Sequence, residues 1–527
     1  MNPPAPSKPD GSANNAPGLR VILLWCLPAL IVGLVLRVRL CHHEPFAFFN
    51  SDAFDFLHTS VSLHDGHGFA VHWKKTFLVP VVYWLFTLTG APIAIAIPLL
   101  QHLLGILLIV FSGVLGARIF RHWKIFVPLV TLLFAINPSL LYYEHSLMAE
   151  TIFVFCIFIM ALAAMRYIRT RSISALATMS LAVFFAAGVR PEGKYFVLFP
   201  VLLLVLTEFR KPLRLVIGCI TMFIALGLAT LLNPRGNEAG AMLVTSLIHL
   251  VPDDLKSAPD FAPRVLPLRD QAALDWQKFD RNRLRISPNW HANLRKLVLN
   301  AAVGYLRIGA LPDNEKFARV NQLLLKVGRE ICLRRPLPVL GVTAKKAMCT
   351  INEIPAPSTD AGTLHSKHEI VLINDAPAPE YAHLLFGRDL QTPEETRAFI
   401  ESHYRPSVPW FNTLRVRWLM ALRKGALPRK TWDFAGIVWP GIPPVYVIAI
   451  AGLFLSILRK NELRPLFISL GFTLALVAAM LFLSGNVRVR YRFFLEPFWI
   501  LYAAILCDIV AVKITAATLG LKRRAAP

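Results

Sequence analysis

The sequence predicts an all-α polytopic membrane protein of about ten to twelve transmembrane helices, with a mixed extracytoplasmic domain between the late helices. Three observations predict it. The 527 residues are 55% hydrophobic and only 17% charged, with a mean hydropathy of +0.53, whereas a soluble domain is nearer a quarter charged. Apolar runs of about 20 residues, the length that crosses a bilayer, recur along the chain. The short connections between alternate runs are basic, as cytoplasmic loops are.

Taken in order, residues 1–18 are rich in Pro, Ser, Asn and Gly and read as a disordered cytoplasmic tail. The run Val21 to Leu36 follows Lys8 and Arg20 as a signal peptide would. Arg37, Val38 and Arg39 come next instead of a small-residue cleavage site, so it reads as an uncleaved helix. Spans are expected near 20–40, 92–117, 125–143, 149–166, 173–189, 194–209, 213–233, 435–458, 465–484 and 494–513. The run Phe77 to Thr89 is too short to span and is placed in the outer interface, packing there or touching a lipid tail. The chain thus divides into a transmembrane module 19–233 with an outer loop 41–91, an extracytoplasmic domain 234–434, C-terminal helices 435–513 and a basic cytoplasmic tail 514–527. Within the domain, Phe317, Val320, Leu324, Val327 and Ile331 have helical spacing over Asp313 to Arg335. Trp410 to Trp432 is basic, aromatic and amphipathic, which suits an interfacial helix.

Charge orients these elements. With the N-terminus cytoplasmic, the inner connections carry Arg118, Arg121 and Lys124; Arg166, Arg169 and Arg171; Arg210, Lys211 and Arg214; and Arg459, Lys460 and Arg464. Much of the formal charge of +24 is therefore topological, and a nucleic-acid partner is excluded. On the same map Asp10, Glu208, Glu462 and Asp508 fall at the cytoplasmic side. Glu44, Asp52, Asp55, Asp65, Glu144, Glu150, Glu192, Asp433 and Glu496 fall outside. Charges beside hydrocarbon usually have a task or a partner, so a site at the outer surface is expected, with Glu44, Asp65 and Asp433 read as solvated loop charges.

Basic residues on that outer face run against the topological trend: Arg190 and Lys194 in GVRPEGK, and Arg488, Arg490 and Arg492 in GNVRVRYRFF. A phosphate ligand explains them, because the guanidinium fork matches phosphate oxygens. Pairing with Glu192 and Glu496 is the competing explanation. His58, His64, His67 and His72 share the first outer loop, but their spacing matches no standard metal set, so no metal site is assigned. A divalent cation is left open. His102 and His145 are read as helix contacts or cavity lining, and Tyr142 and Tyr143 as interfacial belt residues. Cys332 and Cys349 are the polar-loop cysteines, read either as a disulfide or as two free thiols; the other five are packing residues.

Four stretches, in this order, resemble the GT-C superfamily of membrane glycosyltransferases, and within it the bacterial relatives of protein O-mannosyltransferases and the lipid A aminoarabinose transferase. SDAFDFLHTSVSLHDGHGF is similar to the family's outer loop, with Phe56 where the family usually has Tyr. LFAINPSLLYYEHSLMAETIFVF is similar to its Pro-containing helix end followed by a Glu, here Glu150. GVRPEG is similar to its Arg-Pro step and RVRYRFFLEP to its late basic-aromatic-Pro motif.

The resemblance implies a polyprenyl-phosphate-linked sugar as donor, an inverting reaction, and an outer-loop Asp as base. Asp52 takes that place and Asp55 is the second choice. The chemistry is consistent: a hydroxyl acceptor needs a carboxylate to take its proton, and the leaving phosphate needs positive charge. Arg190, Lys194, Arg488, Arg490 and Arg492 are expected at the phosphate. Glu150, Glu144, His145, Glu192 and Tyr491 are expected to line the substrate cavity. Residues 19–233 become the catalytic module, in a bacterial inner membrane with the site outside, acting on a glycan, lipid or protein acceptor. The alternatives are a transporter or flippase of lipid-linked saccharides, and an assembly subunit that docks through its large outer domain.

Overall fold

The computed structural model describes residues 17–48, 51–68, 76–233, 239–282, 288–311, 313–352, 379–403, 408–423, 444–458, 461–484 and 493–525. The N-terminal part contains α1 (Leu19–His43), α2 (Ser51–His64), α3 (Leu78–Thr87), α4 (Ile93–Ile119), α5 (Trp123–Ile136), α6 (Pro138–Glu144), α7 (Glu150–Thr170), α8 (Ile173–Val189), a 3-10 turn Pro191–Val197 running into α9 (Leu198–Glu208), and α10 (Pro212–Leu232). The region that follows contains α11 (Ala239–Leu247), α12 (Ala262–Asn282), α13 (Pro288–Leu306), α14 (Asp313–Arg334), α15 (Pro336–Asn352), α16 (Pro379–Phe386), α17 (Pro393–His403) and α18 (Pro409–Arg423). The chain ends in α19 (Pro444–Leu458), α20 (Arg464–Ser484) and α21 (Glu496–Ala525).

The protein is an all-α membrane protein. Among the described residues, six helices are long and apolar enough to cross a bilayer: α1, α4, α7, α10, α20 and α21. A seventh span results if α5 and α6, bent by 50° at their junction, are taken as one. The break is local chemistry. Pro138 has no N–H to donate to the preceding turn, and Asn137 caps the new helix, accepting from the N–H groups of Ser139 (2.9 Å) and Leu140 (3.4 Å). α8 and α19 are apolar but shorter. Leu24, Leu27, Ile31, Leu34 and Val35 on α1 and Ile217, Ile220, Phe223, Ile224 and Leu228 on α10 are exposed. Such a stripe is stable only against lipid or another apolar partner.

The basic connections meet at one end of the bundle. Asp508 on α21 accepts from the backbone N–H of Arg121 and of His122, each at 2.9 Å. Arg169 pairs with Glu462 and Arg171 with Glu208, both at 3.1 Å. The connections after α7, α9 and α19, far apart in sequence, are thereby held together and the one after α4 is held to α21, which fits the grouping that the positive-inside pattern requires.

The region after α10 was expected to be of mixed structure. Among its described residues it is helical throughout, with no strand. Helices α11 to α15 build a separate core around Val244, Leu247, Phe261, Val298 and Leu324. The expected spacing on α14 is borne out, with Val320, Leu324, Val327 and Ile331 all buried. This core is tied to α20 by the buried Lys346, whose Nζ donates to Ser246 Oγ at 2.6 Å and to Leu483 O at 3.4 Å. Helices α16 to α18 instead pack on the N-terminal bundle. Phe386 and Phe399 close on Phe46, and Phe411 joins Leu40 and Phe48. The amphipathic segment beginning at Trp410 is helical to Arg423, and its remainder lies outside the described residues. Cys332 is a free thiol; the side chain of Cys349 lies outside the described ones.

Candidate functional site

Two charged groups sit at the end of the bundle opposite the basic connections. The first begins with a buried ion pair. Glu144, the last residue of α6, is fully buried, and Arg37 on α1 is 3% exposed. Arg37 Nη2 donates to Glu144 Oε1 at 2.6 Å, and its Nη1 donates to the Gly33 carbonyl at 3.0 Å. Two glycines make the space. A Cβ at Gly105 would lie 2.0 Å from Glu144 Oε1, and one at Gly33 would lie 3.1 Å from Arg37 Nη1.

From Glu144 a line of polar groups runs outward. Glu144 Oε2 faces His102 Nδ1 at 2.9 Å, His102 Nε2 faces His145 Nδ1 at 3.0 Å, and His145 Nε2 faces the Phe46 carbonyl at 3.1 Å. The outermost partners of this line, the Glu144 carboxylate and the Phe46 carbonyl, are acceptors. Burial, and then the adjacent His102, push the His145 pKa down to about 3. The backbone locks this arrangement. Phe48 N–H donates to His145 O at 2.7 Å, Leu147 N–H returns to Phe48 O at 3.2 Å, and Gln101 Nε2 donates to Ser146 O at 2.8 Å. Glu144 and His145 thus belong to a buried structural network. Glu44, expected as a solvated loop charge, is completely buried, because the connection after α1 folds inward under Phe46 and Phe48. Asp65 is exposed as expected, and Asp433 lies outside the described residues.

The second group gathers around Glu150, which opens α7. Arg190, the cap between α8 and the 3-10 turn, donates through Nη1 to Glu150 Oε1 and through Nε to Glu192 Oε2 at 3.2 Å. Its guanidinium also lies over the Phe153 ring, 5.8 Å from the centroid. The expectation that Arg190 serves a phosphate directly meets a competing fact: two carboxylates already surround it. Lys194 lies over Tyr195, 5.1 Å from the ring centroid, and is half-buried. Gly193 explains the rest of GVRPEG. It donates its N–H to Arg190 O at 2.9 Å, and a Cβ there would stand 1.8 Å from the Ala186 carbonyl. Gly193→Ala is expected to move the whole turn and cost about 1–3 kcal/mol; thermal unfolding of the purified protein in detergent checks it.

The segment with the candidate base is helical and packs on α3, whose Tyr83 lies near Glu150. Asp52 and Asp55 lie three residues apart on α2. The side chain of Asp52 is outside what the structure describes, and that of Asp55 is half-buried. Ala53, Phe56, Leu57, Ser60 and Val61 form the buried face of α2, and Ser60 Oγ donates to Pro80 O at 3.0 Å on α3. Phe56 meets Tyr83 edge-on at 6.2 Å between centroids. Tyr83 is fully buried, and burial followed by the nearby Glu150 carboxylate raises its pKa well above that of a free tyrosine. Its hydroxyl has no hydrogen-bond partner among the described residues. The sequence reading missed Tyr83, treating its helix only as an apolar run; a lone Tyr within LVPVVYWLFT was the available signal.

Arg488, Arg490, Tyr491 and Arg492 lie outside the described residues. The aromatic pair that follows them packs against the second group: Phe493 against Tyr143 at 4.4 Å, and Phe494 against Phe153 and Phe196 at 6.2 and 6.3 Å between centroids. Of the loop histidines, His58, His64 and His67 are exposed, His64 bonds Thr87 at 3.0 Å, and His72 is outside the described residues. Among the described residues, the metal-ligand atoms that do gather, within 4.8 Å of one another, belong to Cys41, His102 and His145. Compared with known proteins, the chain matches no family model and no curated sequence.

Proposed function

We propose that this chain is a glycosyltransferase of the bacterial inner membrane, moving a sugar from a polyprenyl-phosphate donor to a cell-envelope acceptor at its acidic, extracytoplasmic end. In this reading all ten apolar runs cross the bilayer. The observation that supports it is a chain of contacts: Phe56 of α2, the helix that carries Asp52 and Asp55, meets Tyr83, Tyr83 lies near Glu150, and Glu150 pairs with Arg190, which also holds Glu192.

The chemistry follows from those groups. Asp52, with Asp55 as second choice, takes the proton of the acceptor hydroxyl as its oxygen attacks the anomeric carbon. The bond from that carbon to the phosphate oxygen breaks, its electron pair leaves with the phosphate, and the anomeric centre inverts. Lys194 and the arginines at 488, 490 and 492 supply the positive charge on the departing phosphate. Arg190, occupied by Glu150 and Glu192, sets the position of Glu150 and reaches a phosphate only by exchanging one carboxylate for it. No metal is assigned to this reaction. Lys194→Ala is expected to weaken polyprenyl-phosphate binding about tenfold, the loss of one charge-assisted contact of ~1.5 kcal/mol; equal affinity in the variant would remove Lys194 from the donor site.

The deciding experiment compares envelope lipids and glycans by mass spectrometry with and without the protein. Loss of one glycosylated component, together with accumulation of a polyprenyl-phosphate sugar, is the expected result. Unchanged profiles would end this reading. A flippase or transporter of lipid-linked saccharides is the second reading. It draws on the broken helix α5–α6 with charges buried beside it, a feature that transport folds share. Movement of such a lipid across reconstituted vesicles with no covalent change to it would favour that reading.

A further inference from the structure

We infer that Cys41, His102 and His145 form a binding site for a borderline-soft transition-metal ion, with Zn2+ as the form to test, at the outer end of α1, α4 and α6. The inference is independent of the transfer reaction, because none of its three ligands is assigned a step there.

The two imidazoles are already arranged as metal ligands are. Their facing nitrogens, His102 Nε2 and His145 Nδ1, are 3.0 Å apart. Their far nitrogens are each anchored on an acceptor, His102 Nδ1 on the Glu144 carboxylate and His145 Nε2 on the Phe46 carbonyl. Zinc-bound histidines characteristically donate their outer N–H to a carboxylate or a backbone carbonyl, which sets the tautomer and aims the lone pair at the metal. Glu144 is in turn held by Arg37, so the second layer is itself rigid.

The third ligand completes a set of one thiolate and two imidazoles, a combination suited to zinc and poorly suited to Mg2+ or Ca2+. Ligand atoms around a tetrahedral zinc are roughly 3.3–3.6 Å apart, from bond lengths near 2.0 and 2.3 Å. The imidazole nitrogens must therefore separate by a few tenths of an ångström. The sulfur, within 4.8 Å of both, must close by about 1 Å, the scale of a small side-chain rotation. Cys41 is half-buried whereas both rings are buried, which gives the ion a way in from the cysteine side. The proton balance is simple: the thiol proton and any proton between the two rings leave, and the two outer N–H bonds stay.

The test uses the full-length protein in detergent, loaded with Zn2+, desalted and assayed for metal, with Cys41→Ser and Cys156→Ser alongside. Cys41→Ser keeps both rings and their anchors, and Cys156 is a buried thiol on α7 that acts as the control. The expected result is about one zinc retained per wild-type or Cys156→Ser chain and near-complete loss in Cys41→Ser. Loading with Co2+ should add a thiolate-to-metal absorption band, absent in Cys41→Ser. Equal zinc retention by Cys41→Ser, which would mark an adventitious ion, or a Co2+ spectrum without the thiolate band, would overturn the site.

Discussion

Glu144→Leu is expected to destabilise the folded protein by about 3–5 kcal/mol, the cost of leaving one member of a buried ion pair without its partner. The charge left behind is Arg37, 3% exposed and on a spanning helix. A guanidinium does not shed its proton in proteins, so the cation cannot be neutralised in place. The opposite deletion is predicted to be milder. In Arg37→Leu the carboxylate of Glu144 still faces His102 at 2.9 Å, and a carboxylate, unlike a guanidinium, can be neutralised by taking up a proton. Arg37→Leu/Glu144→Leu should recover much of the loss, since an apolar pair in a buried site is often as stable as the ions it replaces. Heating each variant in detergent and following the surviving monodisperse fraction reads this order. If Arg37→Leu proves the more damaging of the two, the guanidinium is not the costlier charge to leave without its partner.

Asp52→Asn is expected to lower sugar transfer by about 10²–10⁴-fold while carrier binding and thermal stability stay near wild type. The amide keeps the shape of the carboxylate and loses only its basicity. Asp55→Asn, one helical turn later on α2, should reduce transfer less. Both variants are measured with the same donor lipid, for turnover and for binding. Near wild-type turnover by Asp52→Asn, with loss in Asp55→Asn, would move the base to the second position. Loss of binding together with turnover would point to a role in holding the donor.

These two experiments probe parts of the molecule that were unequally visible in the sequence. The α2 prediction needed only the primary structure: carboxylates are scarce in an apolar chain, a cluster at 52–55 beside the first apolar run stands out, and the choice of Asp52 within it is what the resemblance to the GT-C superfamily implies. The Glu144 prediction needed coordinates. In sequence Glu144 and His145 were two more candidates for a cavity wall, and Arg37 was one of the flanks of the first span. Gly33 and Gly105 carried no signal either, because what makes them necessary is the carboxylate and guanidinium that fill the space beside them. The same holds for the pairing of Arg190 with Glu150, 40 residues upstream, whereas its pairing with Glu192, two residues downstream, was legible in the sequence.

Hydrophobic runs, basic connections and the Asn-Pro break are local properties. They determined by themselves that this is an α-helical membrane protein, where its long apolar helices lie, and which connections gather at the basic end. The bilayer enforces that reading, because an apolar run of spanning length must satisfy its backbone within itself and so becomes a helix whatever its neighbours are. Which polar groups meet inside the bundle is a different kind of fact. Cys41, His102 and His145 are separated by 61 and 43 residues, and no periodicity links them. Their proximity, like that of Tyr83 to Glu150, follows from how the helices pack, and packing depends on the shapes of many side chains at once. Only the tertiary structure decided which charges are paired and which histidines face each other.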